Sequence, residues 1–196
     1  MKRALDVAVA LAGLAVLAPL LVVVAAAVAL ESRGPALFNA VRVGRDGRRF
    51  RMRKFRTMTV DADGPRITTA DDARVTRLGR VLRATHLDEV PQLWNVLVGE
   101  MSLVGPRPED PAFVDADDPA WRRVLSVRPG ITGPAQLRFS RREQDALGAA
   151  DPERDYRERV LPEKLRADVE YVERRTFVGD VLLLLRTPFA RADASA

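Results

Sequence analysis

The sequence predicts an α/β chain, mostly helical, with one small β-hairpin and an N-terminal segment that enters a membrane. Three observations predict it. An uncharged run of Ala, Val and Leu extends from Val7 to Leu30. Two alternating runs flank Asp46-Gly47, the chemistry of a tight hairpin turn. Much of the remainder recurs at helical spacing, as in Leu161, Leu165, Val169 and Val172. At 196 residues, with 47% hydrophobic and 30% charged side chains, the chain can bury a core and is not a disordered one. It has no cysteine and a single histidine, His86, which excludes disulfides, thiolate metal sites, cysteine nucleophiles and multi-histidine metal centres.

As a helix the N-terminal run is roughly 36 Å long, against a hydrocarbon core of about 30 Å. Lys2-Arg3 before it and Ala27-Val28-Ala29 near its end also suit a cleavable signal peptide, but the apolar core of such a peptide spans only about 7–15 residues. Lys2, Arg3 and the basic cluster at 42–56 all favour the cytoplasmic side. Pro19 sits mid-run, where it removes a backbone hydrogen bond and bends a helix. Two short arms meeting at Ala18-Pro19 would then enter and leave by one leaflet. A single span with a tolerated proline fits the same residues.

Residues 35–58 read as the hairpin, with Phe50, Met52 and Lys54 on one face and Arg51, Arg53 and Phe55 on the other. Between positions 42 and 58 stand eight basic residues and one acid, whereas residues 59–196 carry a small negative excess. The basicity is therefore a local patch, and acidic lipid headgroups are its cheapest partner beside a membrane segment. Nucleic acid is the alternative, but the patch has no recognition motif. Lys54 is one of three lysines among 32 basic residues, a hint that arginine does not serve there.

Thr59 to Asp72 is polar and holds Asp63-Gly64-Pro65, so it reads as a loop; Arg74 to Thr85 reads as a helix with Arg77, Arg80 and Arg83 along one side. From Thr85 to Pro108 the chain is densest in chemistry. Leu87, Val90, Trp94 and Leu97 fall on one helical face, and Asp88, Gln92 and Asn95 on another. Asp88 as N-cap would place Pro91 in the first turn, where proline costs little. Locally, Asp88-Glu89 is also the pattern of a capping acid followed by a solvated one, and capping acids are commoner than catalytic ones. A rigid turn, Gly105-Pro106-Arg107-Pro108, then presents one arginine. Glu109 to Asp118 reads as an acidic loop and Trp121 to Leu125 as a short helix. Arg128 to Gln136 is a fixed, irregular loop rich in Gly and Pro, followed by Arg138, Arg141 and Arg142. Asp151 to Arg175 is helical. Phe177 to Leu185 is apolar, too short to span, and suited to the membrane interface.

Nearly the whole chain resembles the bacterial sugar transferases, more narrowly the small monotopic phosphoglycosyl transferases. Lys2-Arg3-Ala-Leu-Asp6, Lys54-Phe55-Arg56-Thr57-Met58, Leu87-Asp88-Glu89 with Gln92, Asn95 and Gly99, Val104-Gly105-Pro106-Arg107-Pro108 and Arg128-Pro129-Gly130-Ile131-Thr132-Gly133 carry the resemblance. It implies an N-terminal helix-break-helix that re-enters the membrane at Ala18-Pro19, with interfacial amphipathic helices. Residues 1–33 would form the anchor and 34–196 a cytoplasmic catalytic domain on the bacterial inner membrane. It also implies transfer of a sugar 1-phosphate from a UDP-sugar to polyprenyl phosphate with release of UMP, an early membrane step of glycoconjugate assembly such as exopolysaccharide. The resemblance makes Asp88 the covalent nucleophile and Glu89 a Mg²⁺ ligand beside it. Lys54, Arg83, Arg107 and Arg128 are expected on phosphates, and Gln92, Asn95, Pro106, Pro108, Gln136 and Arg138 in the substrate-binding loops. The expected partners are UDP-sugar, polyprenyl phosphate, acidic lipid headgroups and downstream glycosyltransferases, with no nucleic acid. The rival from another class is a membrane-tethered basic protein binding acidic lipid or nucleic acid.

The chain departs from the family pattern at Pro134 and at Leu137-Arg138-Phe139-Ser140, where many members have a bulky residue and Val-Asn-Gly-Arg. The insertion from Arg141 to Leu161 is expected to bear on sugar choice. The multi-span N-terminal domain of larger relatives has no counterpart, so the chain is expected to be close to the minimal catalytic unit.

Overall fold

The computed structural model describes residues 1–60, 72–138 and 151–192. Most of the loop expected at Thr59–Asp72, Ser140, and residues 141–150 of the insertion after it lie outside these residues.

Helix α1 (Lys2–Glu31) runs unbroken through Pro19. The expected break at Ala18-Pro19 therefore does not interrupt the helix; a proline removes one backbone bond, and the flanking turns hold the rest. The helix is about 45 Å long and apolar enough to cross a membrane, yet it is docked at both ends. In its first turn Lys2 donates to the Val104 carbonyl and pairs with Asp180, while Arg3 donates to the Val96 and Leu97 carbonyls. Buried Asp6 accepts from the Ser102 hydroxyl and the Leu103 amide. At the far end Arg56 donates to the carbonyls of Val28, Ser32, Arg33 and Gly34. Between the two ends, Leu11, Val16, Val22 and Val23 face outward and are exposed.

Strands β1 (Leu37–Val43) and β2 (Arg49–Phe55) form the expected antiparallel hairpin, with Phe38 opposite Lys54 and Val43 opposite Arg49. Asp46 and Gly47 both take positive φ in its turn, as their residue types favour. Met52 and Phe50 enter the main core with Ala10, Val96, Met101, Val104 and Tyr171. Phe55, on the other face, packs with Val24, Val28 and Leu82. The basic patch is dispersed. Lys54 and Arg56 turn inward, Arg42 pairs with Asp110 at 3.0 Å, and Arg53 stacks over the Trp94 ring at 5.2 Å.

Helix α2 (Arg77–Ala84) is capped by Thr76, whose hydroxyl accepts from the Gly79 amide. Gly79 is packed so closely that a Cβ there would lie 2.2 Å from the Thr57 carbonyl oxygen. Next comes a 3₁₀ turn over Leu87–Glu89, then α3 (Gln92–Val98). Asp88 is thus no N-cap, and Pro91 precedes the helix instead of lying within it. The faces of α3 are also rotated from expectation. Gln92 and Asn95 are 0% exposed whereas Trp94 is 46% exposed. The reason is Asn95, whose Oδ1 accepts from the Arg53 amide at 3.0 Å and whose Nδ2 donates to the Arg51 carbonyl at 2.8 Å. It stitches α3 to the edge of β2, and Trp94 is left facing outward with Val98.

Strands β3 (Ser102–Val104) and β4 (Gly130–Thr132) pair in parallel, separated by a 3₁₀ turn and α4 (Pro119–Leu125). Here the Pro-Gly-Ile-Thr-Gly loop meets the Gly105 turn without side chains between them. A Cβ on Gly130 would lie 2.1 Å from the Gly105 nitrogen. After α5 (Pro152–Asp155) a π-helical turn over Tyr156–Val160 leads into α6 (Leu161–Arg174). The wide turn sits where Pro162 would otherwise press on the carbonyl four residues earlier. Helix α7 (Phe177–Ala192) packs Leu183 and Leu184 on the core and exposes Val178, Leu182 and Leu185. At 16 residues it is too short to span, as expected.

Asn95→Ala leaves the buried Arg53 amide without its acceptor, which costs about 1–3 kcal/mol. Denaturant unfolding in detergent micelles reads this as a lowered midpoint.

Candidate active site

A cleft of about 1370 Å³ runs between the hairpin, the 3₁₀ turn at Leu87–Glu89 and the Pro-Arg-Pro turn. Lys54, Arg83, Asp88, Glu89 and Arg107 all line it, together with the polar His86, Thr57 and Arg74 and the apolar Phe38, Val41 and Pro111. These groups are more than 50 residues apart in sequence at the extremes and converge because three backbone devices meet. Lys54 is carried by β2. Asp88 and Glu89 ride a turn entered through His86, a non-glycine residue at φ +55°. Arg107 follows β3.

The two acids have different surroundings although both are only 7% exposed. Glu89 Oε1 accepts from Lys54 Nζ at 2.9 Å and from Arg107 Nη2 at 2.8 Å. Burial would raise its pKa, but the charges and hydrogen bonds of Arg107 and Lys54 outweigh burial and hold the carboxyl well below the usual range. No described residue donates a hydrogen bond to the Asp88 carboxylate. Burial and the neighbouring Glu89 push its pKa up, against the pull of Lys54, Arg83 and Arg107. Side-chain cations from three elements, not a helix N-terminus, are what oppose the burial of Asp88. Arg83 is itself held by the Thr57 hydroxyl, to which its Nε donates at 2.9 Å. Burial lowers the pKa of both Lys54 and Arg83, with Glu89 and Asp88 respectively opposing it.

Other expected site residues lie elsewhere. Arg128 donates to the Gly99 carbonyl at 2.8 Å and caps the end of α3, outside the cleft. Gln92 and Asn95 are interior. Gln136 donates to the Ile131 carbonyl, and Arg138 is exposed; neither lines the cleft. Pro106 and Pro108 are buried and shape the Arg107 turn, Pro106 by accepting from the Gly130 amide at 2.8 Å. The rigid Arg128–Gln136 loop is therefore a buttress behind the turn.

Two groups beside the site carried no local sequence signal. Glu109, two residues past Arg107, accepts from Lys164 Nζ and from Tyr156 Oη, both at 2.8 Å, and its backbone carbonyl accepts from the Val43 amide. Lys164 is 3% exposed. This buried cluster fastens the chain just beyond Arg107 to α6 and to the hairpin at once. Asn39, Arg42 and Asp110 also line the cleft.

A divalent cation fits the donor set. Mg²⁺ bound with phosphates takes about one or two carboxylates from the protein, and Asp88 and Glu89 supply hard oxygens side by side. Because Oε1 of Glu89 already holds two cationic groups, Asp88 is the carboxylate more open to a metal. Among the described residues there is no cluster of three metal-ligating side chains, so substrate oxygens would complete the shell.

With this geometry in hand, comparison with known proteins decides the family. The bacterial sugar transferase model matches residues 1–193. The chain belongs to the bacterial sugar transferase family. Membership makes it a transferase. It is 42% identical over 191 residues to the UDP-glucose:undecaprenyl-phosphate glucose-1-phosphate transferase of Caulobacter vibrioides, covering 95% of this chain and 67% of that protein. It is 38% identical over 191 residues to the UDP-N-acetylgalactosamine-undecaprenyl-phosphate N-acetylgalactosaminephosphotransferase of Aeromonas hydrophila, covering 95% of this chain but 42% of that one. It is also 36% identical to the exopolysaccharide production protein PSS of Rhizobium leguminosarum, with 95% and 92% covered.

The Glu109 carboxyl sits below its ordinary value; burial opposes this, and Lys164 and Tyr156 overcome it. A depressed folded value means the stabilisation is complete above the unfolded glutamate pKa, about 4.3, and is lost as pH falls through the folded one. Lys164→Met therefore costs about 3–5 kcal/mol at neutral pH and progressively less on acidification, measured by denaturant unfolding across that range. A loss that ignores pH would assign Lys164 a packing role alone.

Proposed function

We propose that the chain transfers a sugar 1-phosphate from a UDP-sugar to polyprenyl phosphate, in two steps through Asp88. The observation that carries the reading is the Asp88 carboxylate, lining the cleft among Lys54, Arg83 and Arg107 with no hydrogen bond from any described residue. In the first step an Asp88 oxygen attacks the phosphorus that bears the sugar. The bond from that phosphorus to the bridging oxygen breaks, and UMP leaves with the electron pair. In the second, an oxygen of polyprenyl phosphate attacks the same phosphorus and the acyl phosphate bond to Asp88 breaks, restoring the carboxylate. Lys54, Arg83 and Arg107 neutralise phosphate charge and align the attack, which is most of what phosphoryl transfer asks of a protein. Glu89 keeps Lys54 and Arg107 in place. Mg²⁺, held through Asp88 and Glu89, would supply further charge neutralisation on the diphosphate.

Two features support placement at a membrane face. The first is the ring of exposed apolar side chains on α1 and α7, with Trp94 under Arg53 as an amphipathic pair suited to the interface. The second is that both ends of α1 bond to the same body. A spanning helix would carry one end about 30 Å away, so double docking supports both ends lying at a single leaflet, with residues 1–33 as anchor and 34–196 as a cytoplasmic catalytic domain. The apolar side chains of Phe38 and Val41 on the cleft wall then suit the lipid-linked acceptor, in a bacterial inner membrane, at an early step of glycoconjugate assembly such as exopolysaccharide.

Asp88→Asn preserves shape and removes the nucleophile. Mixed with UDP-sugar and no acceptor, wild type should release about one UMP per enzyme and the variant none, with steady-state turnover down by at least about a thousandfold. EDTA should abolish turnover and Mg²⁺ restore it. An undiminished burst from the variant moves the nucleophile to another residue.

For topology, cysteines introduced separately as Ala4→Cys and Arg48→Cys should both react with an impermeant maleimide only from the cytoplasmic side of oriented vesicles. Labelling of the first from the opposite side would establish a span.

A further inference from the structure

A second cavity, of about 310 Å³, shares no lining residue with the cleft, although Gly105 lines the one and Arg107, two residues on, lines the other. Lys2, Arg3, Arg45, Arg128 and Arg175 line it, and its one acidic lining residue is Asp6. They come from four separate segments: the first turn of α1, the hairpin turn, the approach to β4 and the end of α6.

Their hydrogen bonds divide them. Asp6 is buried and spent on Ser102 and Leu103, so it does not offset the cations. Lys2 is tied to Asp180 and Arg3 caps α3. Arg128 gives only its Nε to Gly99, and its two Nη groups bond to no described residue. Arg175 makes no hydrogen bond or ion pair with any described residue, and Arg45 has only the exposed Asp46 beside it. Like charges brought to one cavity repel one another unless an anion fills it. Planar guanidinium donors match the oxygens of a phosphate group in particular.

Position adds the second argument. Arg175 is followed within three residues by exposed Phe177 and Val178, and the first turn of α1 is followed by exposed Val9 and Leu11. The cavity therefore lies where charged surface gives way to apolar surface on two helices, the depth of a lipid headgroup. We infer that this cavity binds a phosphate group at the membrane boundary, with the headgroup of an anionic phospholipid as the source its position favours. The choice of source rests on the membrane reading above; the phosphate chemistry does not.

The test reads binding without turnover, so its failure and failure of the transferase reading are separable. The full chain in zwitterionic micelles is titrated with phosphatidylglycerol or phosphatidylcholine, and bound lipid is counted by native mass spectrometry. Wild type should take up one phosphatidylglycerol saturably and show no such step with phosphatidylcholine. Arg45→Ala/Arg175→Ala should weaken the uptake at least tenfold while its unfolding midpoint stays unchanged; if that variant unfolds, Arg175→Gln alone should weaken it measurably. A third arm adds millimolar inorganic phosphate. Displacement of the lipid would keep the phosphate site and make a free anion its source. Equal uptake of phosphatidylglycerol by wild type and variants, or no uptake of either ligand, overturns the inference.

Discussion

The Glu89 carboxylate, held between Lys54 and Arg107, is the contact on which the geometry of the cleft depends. Each of its partners belongs to an element that needs its own support. Lys54 stands on β2, which Asn95 fastens to α3. Arg107 stands on a turn backed by Gly130 and anchored one step further by Glu109 and Lys164. A buried ion group of this kind adds little net stability against an apolar replacement, but loss of one member strands the others. Its contribution is positional: two cations are held where phosphate charge is expected, before any substrate arrives.

Asp88 and Glu89 are adjacent, equally buried and electrostatically opposite. The 3₁₀ turn explains this, since successive residues project about 120° apart at three residues per turn. Glu89 points at the hairpin and the Pro-Arg-Pro turn, and its proton affinity drops. Asp88 points into the cleft, where desolvation raises it. Environments that drive two neighbouring carboxyls apart are how one site assigns separate jobs to the same chemical group.

How much of this could be read from the sequence varied with the signal. The hairpin was legible because turn chemistry and alternation agree, and the core stripe of α6 because its spacing is strict. The faces of α3 were not. Hydropathy puts Trp94 inside and Asn95 outside, but a buried amide that satisfies two strand groups and an indole covered by the Arg53 guanidinium each reverse that rule. The charge run at 42–56 was also misleading as a unit, because alternate residues of a strand have different neighbours. Lysine scarcity is the better clue, and it extends beyond Lys54. All three lysines end in ion pairs with buried or half-buried acids, at Asp180, Glu89 and Glu109, so Lys2 and Lys164 carried the same information as Lys54.

The pleat of β2 has a consequence for what length changes this scaffold tolerates. Lys54 faces the cleft, Phe55 the cluster beneath α1, and Arg56 the end of that helix. Sliding the strand by one residue would exchange these sides wholesale, putting a phenyl ring beside Glu89 and an ammonium group among Val24, Val28 and Leu82. Insertions and deletions in this hairpin must therefore be absorbed at its tip, around Gly44–Arg48. The Lys-Phe-Arg-Thr-Met order behaves as a fixed ruler between the end of α1 and the cleft.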